Sequence, residues 1–490
     1  MKHKLICLAA AAALVLCAGG FSLLDHQDSG KRVHQHQAEL PERCTGHGNE
    51  VFCSHLPLLL IETGGEAIPG NFLYDADGIR LKNQYTTTPE GEPYLSARLQ
   101  VLDAPGSNHH LSDVPTLTTQ TEIRIRGNSS REHAKKNYAL RPTTDDGTER
   151  VDVSLLGMAP HDEWALHGPF LDKSLIRNYL WCNLAGEIMD YAPNVRFCEV
   201  FLDGSYQGLY LLSETVSSAK DVRLALNEPE NGVDAVSYAV RLDRGSDDAM
   251  KNIPTFSNYT YLNPNVVDIV YPGARQLTPG RIAYIQNDLS AFEKTLYSYD
   301  YNDKTHGYRQ LIDTGSFVDY FILSELSSNY DAGSYSTYLY KDVRGKFRLC
   351  VWDFNSACDN YAETPVSTED LQMQNRLWFR MLTRDTAFTE AVVARYHQLR
   401  RNVLSDDAIQ QYIDDTVAFL GPAIDRNFQV WEASLGQDLL MPAERNVYTH
   451  AEAVAQLKEF CTQRGDWLDQ HIETVLQFGH SSKVKQHNLH

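Results

Sequence analysis

The chain has 490 residues, 42% of them hydrophobic and 22% charged, which excludes a disordered polymer and leaves enough apolar material for a large core. Its formal charge of −20 is spread along the chain and argues against nucleic-acid binding through a general positive field. Any phosphate site therefore has to be built locally, from a few basic residues.

At the N-terminus, Lys2, His3 and Lys4 precede an uncharged run from Leu5 to Leu24, long enough for one helix across the hydrocarbon core. No A-x-A-like site ends the run, and Leu16 stands before Cys17 where a lipid-modified cysteine needs a small residue. The expectation is an uncleaved signal anchor over residues 1–25, with a cleaved signal peptide as the alternative. Either case puts the remainder outside the cytoplasm, as a single-pass cell-membrane protein or a secreted one, where thiols tend to oxidise. Seven cysteines follow, and local spacing pairs Cys44 with Cys53, Cys182 with Cys198 and Cys350 with Cys358, leaving Cys461. No CxxC, HExxH or Cys/His cluster has zinc-ligand spacing, so no structural metal is expected.

Residues 26–55 are polar and His-rich and read as a juxtamembrane linker, with the folded part starting near Leu56. "LPLLLIET" and "TTQTEIRIRG" alternate as strands do, and "YALRP" forms the far arm of a turn after the second. "DKSLIRNYLWCNLAGEIMD" reads as a helix capped by Asp172. "FCEVFLDG" and "GLYLLSET" flank a hairpin turn. "YAVRLDRG" is a further strand, followed by helices in "RIAYIQNDLSAFEKTLYS" and "TGSFVDYFILSELSSNYD". "YSTYLYKDVRGKFRLCVWD" is a second hairpin turned near Arg344, and the chain after about Glu369 is helical. Residues 481–490 form a tail.

Two carboxylates stand out by position. Asp331 lies just past a helix, and Asp353 just past the second strand of the hairpin that follows, so the hairpin returns Asp353 close to Ser336 and within reach of Asp331. Phosphoryl transfer needs such a pair, one Asp to accept the nucleophile's proton and one to hold a metal. The bland reading is that one ends a helix and the other begins a turn. A charge ending a buried strand costs several kcal/mol unless a partner such as a cation faces it. In "RIRGNSSREHAKKNYALRP", Arg126, Gly127, Asn128, Ser129 and Ser130 form a loop between strands, with Lys135 and Lys136 on the returning arm. Loop amides and hydroxyls can wrap phosphate oxygens while a lysine supplies charge. Alternation turns only one lysine inward. A basic surface turn, or a glycosylation acceptor at Asn128, is the alternative.

Together, "RGNSS…KKNY", "EWALHGPFLDKSLIRN", "VFLDGSYQGLYLLSE", "VDYFILSELSSNYD…YLYKD" and "VWDFNSACDN" resemble, in order, the blocks of the CotH kinase family, an atypical protein-kinase-like group named for spore coat protein H. The resemblance implies an α+β, bilobal kinase-like fold over residues 56–480, with a sheet-rich lobe at 56–225 and a lobe with a helical C-terminal part at 226–480. It implies ATP under the Gly127–Ser130 loop, phosphate on Lys135 or Lys136, Asp331 as catalytic base and Asp353 on Mg²⁺ or Mn²⁺. Glu214 matches an acidic position that contacts nucleotide or pairs with the lysine; Arg177 and Asn178 look structural.

The sequence also departs from the family. Ser336 stands where an Asn metal ligand is usual, and Asn355 where a second Asp is usual, although Asn355 can still ligate through oxygen. Asp359 is a candidate to restore the missing charge. The leading expectation is a membrane-anchored extracytoplasmic kinase acting on Ser or Thr of a surface or coat protein, with nucleotide and protein as partners, no nucleic acid, and membrane contact through the N-terminal segment only. The alternatives are a non-catalytic surface or coat scaffold on the same fold and, less compatible with the loop and lysines, a glycoside hydrolase using Asp331 and Asp353.

Overall fold

The computed structural model describes residues 32–42, 44, 52–219 and 222–479. The expected anchor at 1–25 and the tail at 481–490 lie outside the described residues. Among the described residues no helix is long and apolar enough to cross a membrane.

Seven strands close a barrel: Leu58–Glu62 (β1), Leu95–Leu102 (β2), Leu117–Arg126 (β3), Asn137–Thr143 (β4), Trp164–His167 (β5), Val195–Leu202 (β6) and Ser205–Glu214 (β7). The order is β6-β7-β5-β4-β3-β2-β1, antiparallel except where β1 closes on β6 in parallel, from Leu58 opposite Glu199 to Ile61 opposite Leu202. Side chains alternate across each strand. Leu59, Ile61, Ile123, Ile125, Val200, Tyr210 and Leu212 fill the barrel, while Arg124 and Arg126 face out. The β6–β7 turn has Asp203 and Gly204 both at positive φ, 47° and 75°, which suits the twist of a two-residue hairpin.

A second, antiparallel sheet contains Tyr238–Asp243 (β8), Asn252–Ile253 (β9), Val266–Tyr271 (β10), Thr337–Lys341 (β11) and Arg348–Cys350 (β12), in the order β9-β10-β8-β11-β12. The β11–β12 register pairs Tyr338 with Cys350 and Tyr340 with Arg348, centring the hairpin on Arg344 as expected. Helix α1 (Arg177–Gly186) packs on the outer face of β6 and β7, its Leu180 and Leu184 joining Phe197, Leu209 and Leu211 in the main core. α1 starts five residues after Asp172, because that carboxylate first closes a local turn through Ser174 N and only then reaches Arg177 N, at 2.9 Å.

Helices Pro279–Leu296 (α2) and Thr314–Leu326 (α3) connect β10 to β11; Thr386–Arg400 (α4), Asp406–Leu420 (α5), Pro422–Val430 (α6) and His450–His471 (α7) follow. The fold is α+β with a helical C-terminal part. α7 is tied to α3 by a buried ion pair, Arg464 Nη2 to Glu325 Oε2 at 2.8 Å, and Arg464 also donates to the carbonyls of Glu325, Thr368 and Asp370.

Two expectations are corrected. The linker is in part packed structure: Gln35 exchanges hydrogen bonds with both backbone groups of Phe197, and His36 N donates to the Tyr179 hydroxyl. Cysteine pairing by spacing also fails at two places. Cys198 lies inside the barrel and Cys182 in the main core, while Cys358 Sγ faces Cys461 Sγ at 4.0 Å and not Cys350. Folding decides these neighbours, and short sequence separation does not.

Replacing Arg464 with Leu leaves Glu325 charged in an apolar setting, and a loss of about 3–5 kcal/mol is expected in urea denaturation.

Candidate functional site

Helix α3 ends at Leu326, and the segment from Ser327 to Asp331 runs beside the one from Asp353 to Tyr361. Cys358 N donates to Ser327 O at 2.8 Å, Asn329 Nδ2 donates to Asp353 O at 3.1 Å, and the Tyr330 and Tyr361 rings stack at 3.9 Å. The predicted convergence of Asp331 and Asp353 is therefore present. Its electrostatic signature is clear: burial, then the Asp353 carboxylate, push Asp331 up to about 6. Asp353 is also raised, by burial first, against the opposing pull of the Asn355 amide and Arg126. Among the described residues neither Asp331 nor Asp353 takes part in a salt bridge.

The Asp353 loop is held from below by α1. Asn178 Oδ1 accepts from Phe354 N at 2.7 Å, and Asn178 Nδ2 donates to Asn355 Oδ1 at 2.8 Å. Asn355 Nδ2 in turn donates to Asp353 Oδ1 at 2.7 Å. Arg177, paired with Asp172, donates to the carbonyls of Ala357 and Cys358. Arg177 and Asn178 are thus positioning residues for the aspartate loop. Asp353 itself has φ +59°, and Ser336 has φ +47°; both are left-handed conformations that cost a non-glycine residue roughly 1–2 kcal/mol and gather at functional loops.

Sequence reasoning missed two residues here. Asn329 is buried, and among the described residues its Oδ1 has no hydrogen-bond partner. Asp243, at the end of β8, repels both Asp331 and Asp353 while Arg241 and Arg244 pair with it. The signal that picked out Asp353, a carboxylate ending an alternating strand, applies equally to Asp243. By contrast Asp359 does not restore the missing charge: Arg445 takes it at 2.8 Å, and Val366 N donates to it.

The basic residues divide. Arg126 stands over the Trp352 ring at 5.4 Å and is the cation that Asp353 and His167 feel; burial, then Arg126, push His167 down to about 3. His167, Asn178, Cys182, Leu211, Trp352 and Asp353 line a small cavity there. Lys135 is the inward lysine, but its Nζ donates to Leu209 O and to Asn427 Oδ1 on α6, at 2.5 and 2.6 Å, and burial without a carboxylate pushes it well below its usual range. Lys136 Nζ donates to Arg131 O at 2.5 Å. None of these partners belongs to the aspartate cluster. Glu214 accepts from Asn194 N, Asn194 Nδ2 and the Tyr191 hydroxyl, so it does not pair with a lysine.

The loop expected to cover phosphate is a shaped turn. Gly127 has φ +106°, and a Cβ there would meet Ser130 Oγ at 2.1 Å. Ser129 and Ser130 open a short 3-10 turn after Asn128, and Arg131 pins it by donating to the carbonyls of Gly127, Ile125 and Gly70.

A family profile described as CotH kinase protein matches residues 123–468, from β3 through most of α7. The chain belongs to this family. No curated protein matches the chain significantly. The match takes in the Gly127 loop, the α1 clamp and both aspartates of this CotH-family chain.

Two outcomes follow from the geometry. Because Asp331 binds its proton more tightly folded than unfolded, its contribution is most favourable below pH 3.8 and is lost as pH rises through about 6. Asp331→Asn should therefore raise stability above pH 6, by at most about 3 kcal/mol for a carboxyl moved from 3.8 to about 6, and flatten the pH dependence of thermal unfolding between those values. Asn178→Ala should cost about 1–3 kcal/mol by leaving Phe354 N and Asn355 unpaired, read by denaturant unfolding.

Proposed function

We propose that this protein is an extracytoplasmic CotH-type kinase that transfers the γ-phosphoryl group of ATP to a Ser or Thr hydroxyl of a surface or coat protein. In this reading the barrel and the helix-backed sheet act as the two lobes of a kinase-like fold, membrane-anchored through residues 1–25. The observation that carries it is the Asp331–Asp353 pair: two raised carboxylates brought together on clamped loops, without a salt-bridge partner among the described residues.

Asp331 is the general base. A carboxylate pushed up to about 6 is ionised at neutral pH yet basic enough to draw the proton from an attacking hydroxyl. The acceptor oxygen bonds to phosphorus as the bond from phosphorus to the β,γ-bridging oxygen breaks, ADP leaves, and the hydroxyl proton passes to Asp331. Asp353 would hold the divalent cation, with Asn329 Oδ1 as a second oxygen donor. The fit rests on an acidic cluster without a salt-bridged cation at Asp331 or Asp353 and on that buried acceptor lacking a donor. When bound, Mg²⁺ or Mn²⁺ supplies neutralisation of phosphate charge. Asn355 orients Asp353. Arg126, whose charge acts on Asp353, would be the basic side chain for phosphate, and the Gly127–Ser130 turn follows it directly along the chain.

A second reading, a scaffold that binds partners or nucleotide without turnover, is favoured by the engagement of Lys135 and Lys136 with protein acceptors and by Ser336 in place of an amide ligand.

Full-length protein incubated with γ-labelled ATP and Mg²⁺ or Mn²⁺ should label itself or an acceptor. Asp331→Ala should lower transfer by roughly 10²–10⁴-fold while keeping nucleotide-dependent thermal stabilisation. Asp353→Ala should lose both. Stabilisation without any transfer in the wild type would move the conclusion to the scaffold.

A further inference from the structure

The segment ahead of the barrel meets the loop between β2 and β3 in a two-residue antiparallel bridge, with Cys53 opposite His110 and Ser54 opposite His109. Directly opposed residues project to the same side of such a bridge, so the thiol of Cys53 and the imidazole of His110 share one face. A third donor arrives from upstream. Cys44 comes two residues after Glu42, whose carbonyl accepts from Asn108 Nδ2 of the β2–β3 loop at 2.8 Å. The donor atoms of Cys44, Cys53 and His110 all lie within 4.8 Å of one another.

One sulfur-to-nitrogen spacing matches that of a tetrahedral ion. Bonds of about 2.3 Å to sulfur and about 2.0 Å to nitrogen at the tetrahedral angle set the two donors about 3.5 Å apart. Cys44 Sγ and His110 Nε2 are 3.6 Å apart. The other ring nitrogen of His110 is 3.4 Å from Asp113 Oδ2, an oxygen that also accepts from His110 N at 2.7 Å. A carboxylate in that place keeps the proton on Nδ1 and turns the Nε2 lone pair towards the thiols, as it does behind metal-bound histidines.

We propose that Cys44, Cys53 and His110 form a zinc site, with Asp113 fixing the histidine and the fourth position open to solvent. Two thiolates and an imidazole select a borderline-soft ion such as Zn²⁺ over Mg²⁺ or Ca²⁺. Binding displaces the thiol protons and ties Cys44 and Cys53 to the β2–β3 loop through His110. The site shares no side chain with the aspartate cluster, so it stands whether or not the protein transfers phosphate.

The test uses full-length protein kept reduced, stripped with a chelator and titrated with Co²⁺. One equivalent should give a thiolate-to-cobalt charge-transfer band and the intense visible bands of a tetrahedral ion, both displaced by Zn²⁺. Cys44→Ser, Cys53→Ser and His110→Gln should each abolish these bands, Asp113→Asn should weaken binding roughly 10–100-fold, and Cys461→Ser should change nothing. Cys44 is exposed, so Cys44→Ser with an unchanged thermal melt guards against a folding artefact in the other variants. A reduced wild type that takes up no Co²⁺ with thiolate bands, or bands that survive the Cys44, Cys53 and His110 substitutions, overturns the site.

Discussion

The structure around the candidate site depends on keeping like charges together. Asp331, Asp353 and Asp243 come from the end of a helix, the end of one strand and the end of another; Asp353 and Asp243 raise the cost of ionising Asp331, and Asp243 that of ionising Asp353. Such a cluster holds only if the backbone beneath it is over-determined. Here α1 supplies that constraint: Asn178 fixes Phe354 and Asn355, Arg177 fixes Ala357 and Cys358, and Asn329 reaches across to Asp353 O. These bonds offset the repulsion and the left-handed backbone at Asp353. Burial and like charge together favour the protonated form of such carboxyls.

The barrel contributes to the same place through its outer face. Period-two alternation commits Ile123 and Ile125 to the barrel interior, so Arg126 necessarily points outward, where it finds Trp352 and the field of Asp353. The lysines illustrate the opposite case. One of them is turned inward as alternation demands, yet what lies inward is Leu209 O and the side chain of Asn427, contributed by a helix almost three hundred residues later. The residue type suited a phosphate; the neighbours made it a strut between β7 and α6.

The sequence carried the local facts. The strands at Leu58, Leu117 and Asn137, the β6–β7 hairpin with its Asp-Gly turn, and the β11–β12 hairpin centred on Arg344 were all legible, because alternation and turn chemistry act over a few residues. The five ordered blocks that resemble the CotH family were legible too, and all of them lie within the family match over residues 123–468. Asp331 and Asp353 could be paired because a hairpin fixes its own register. Less visible were β2, β5 and the parallel closure of β1 on β6, which depend on partners far along the chain, and the delayed start of α1 after Asp172.

What the sequence by itself determined is therefore the two hairpins and several of the strands and helices, the family, and the convergence of two aspartates across one hairpin: each follows from short-range periodicity or from ordered motifs. Only the tertiary structure decided which groups face those aspartates. It brought in Asp243 and Asn329, assigned Asp359 to Arg445 and Lys135 to Asn427, and set Cys358 against Cys461 and Cys44 and Cys53 against His110. The reason is physical. Contacts between distant segments are fixed by how whole faces pack, and no spacing along the chain encodes which side chain waits on the other face.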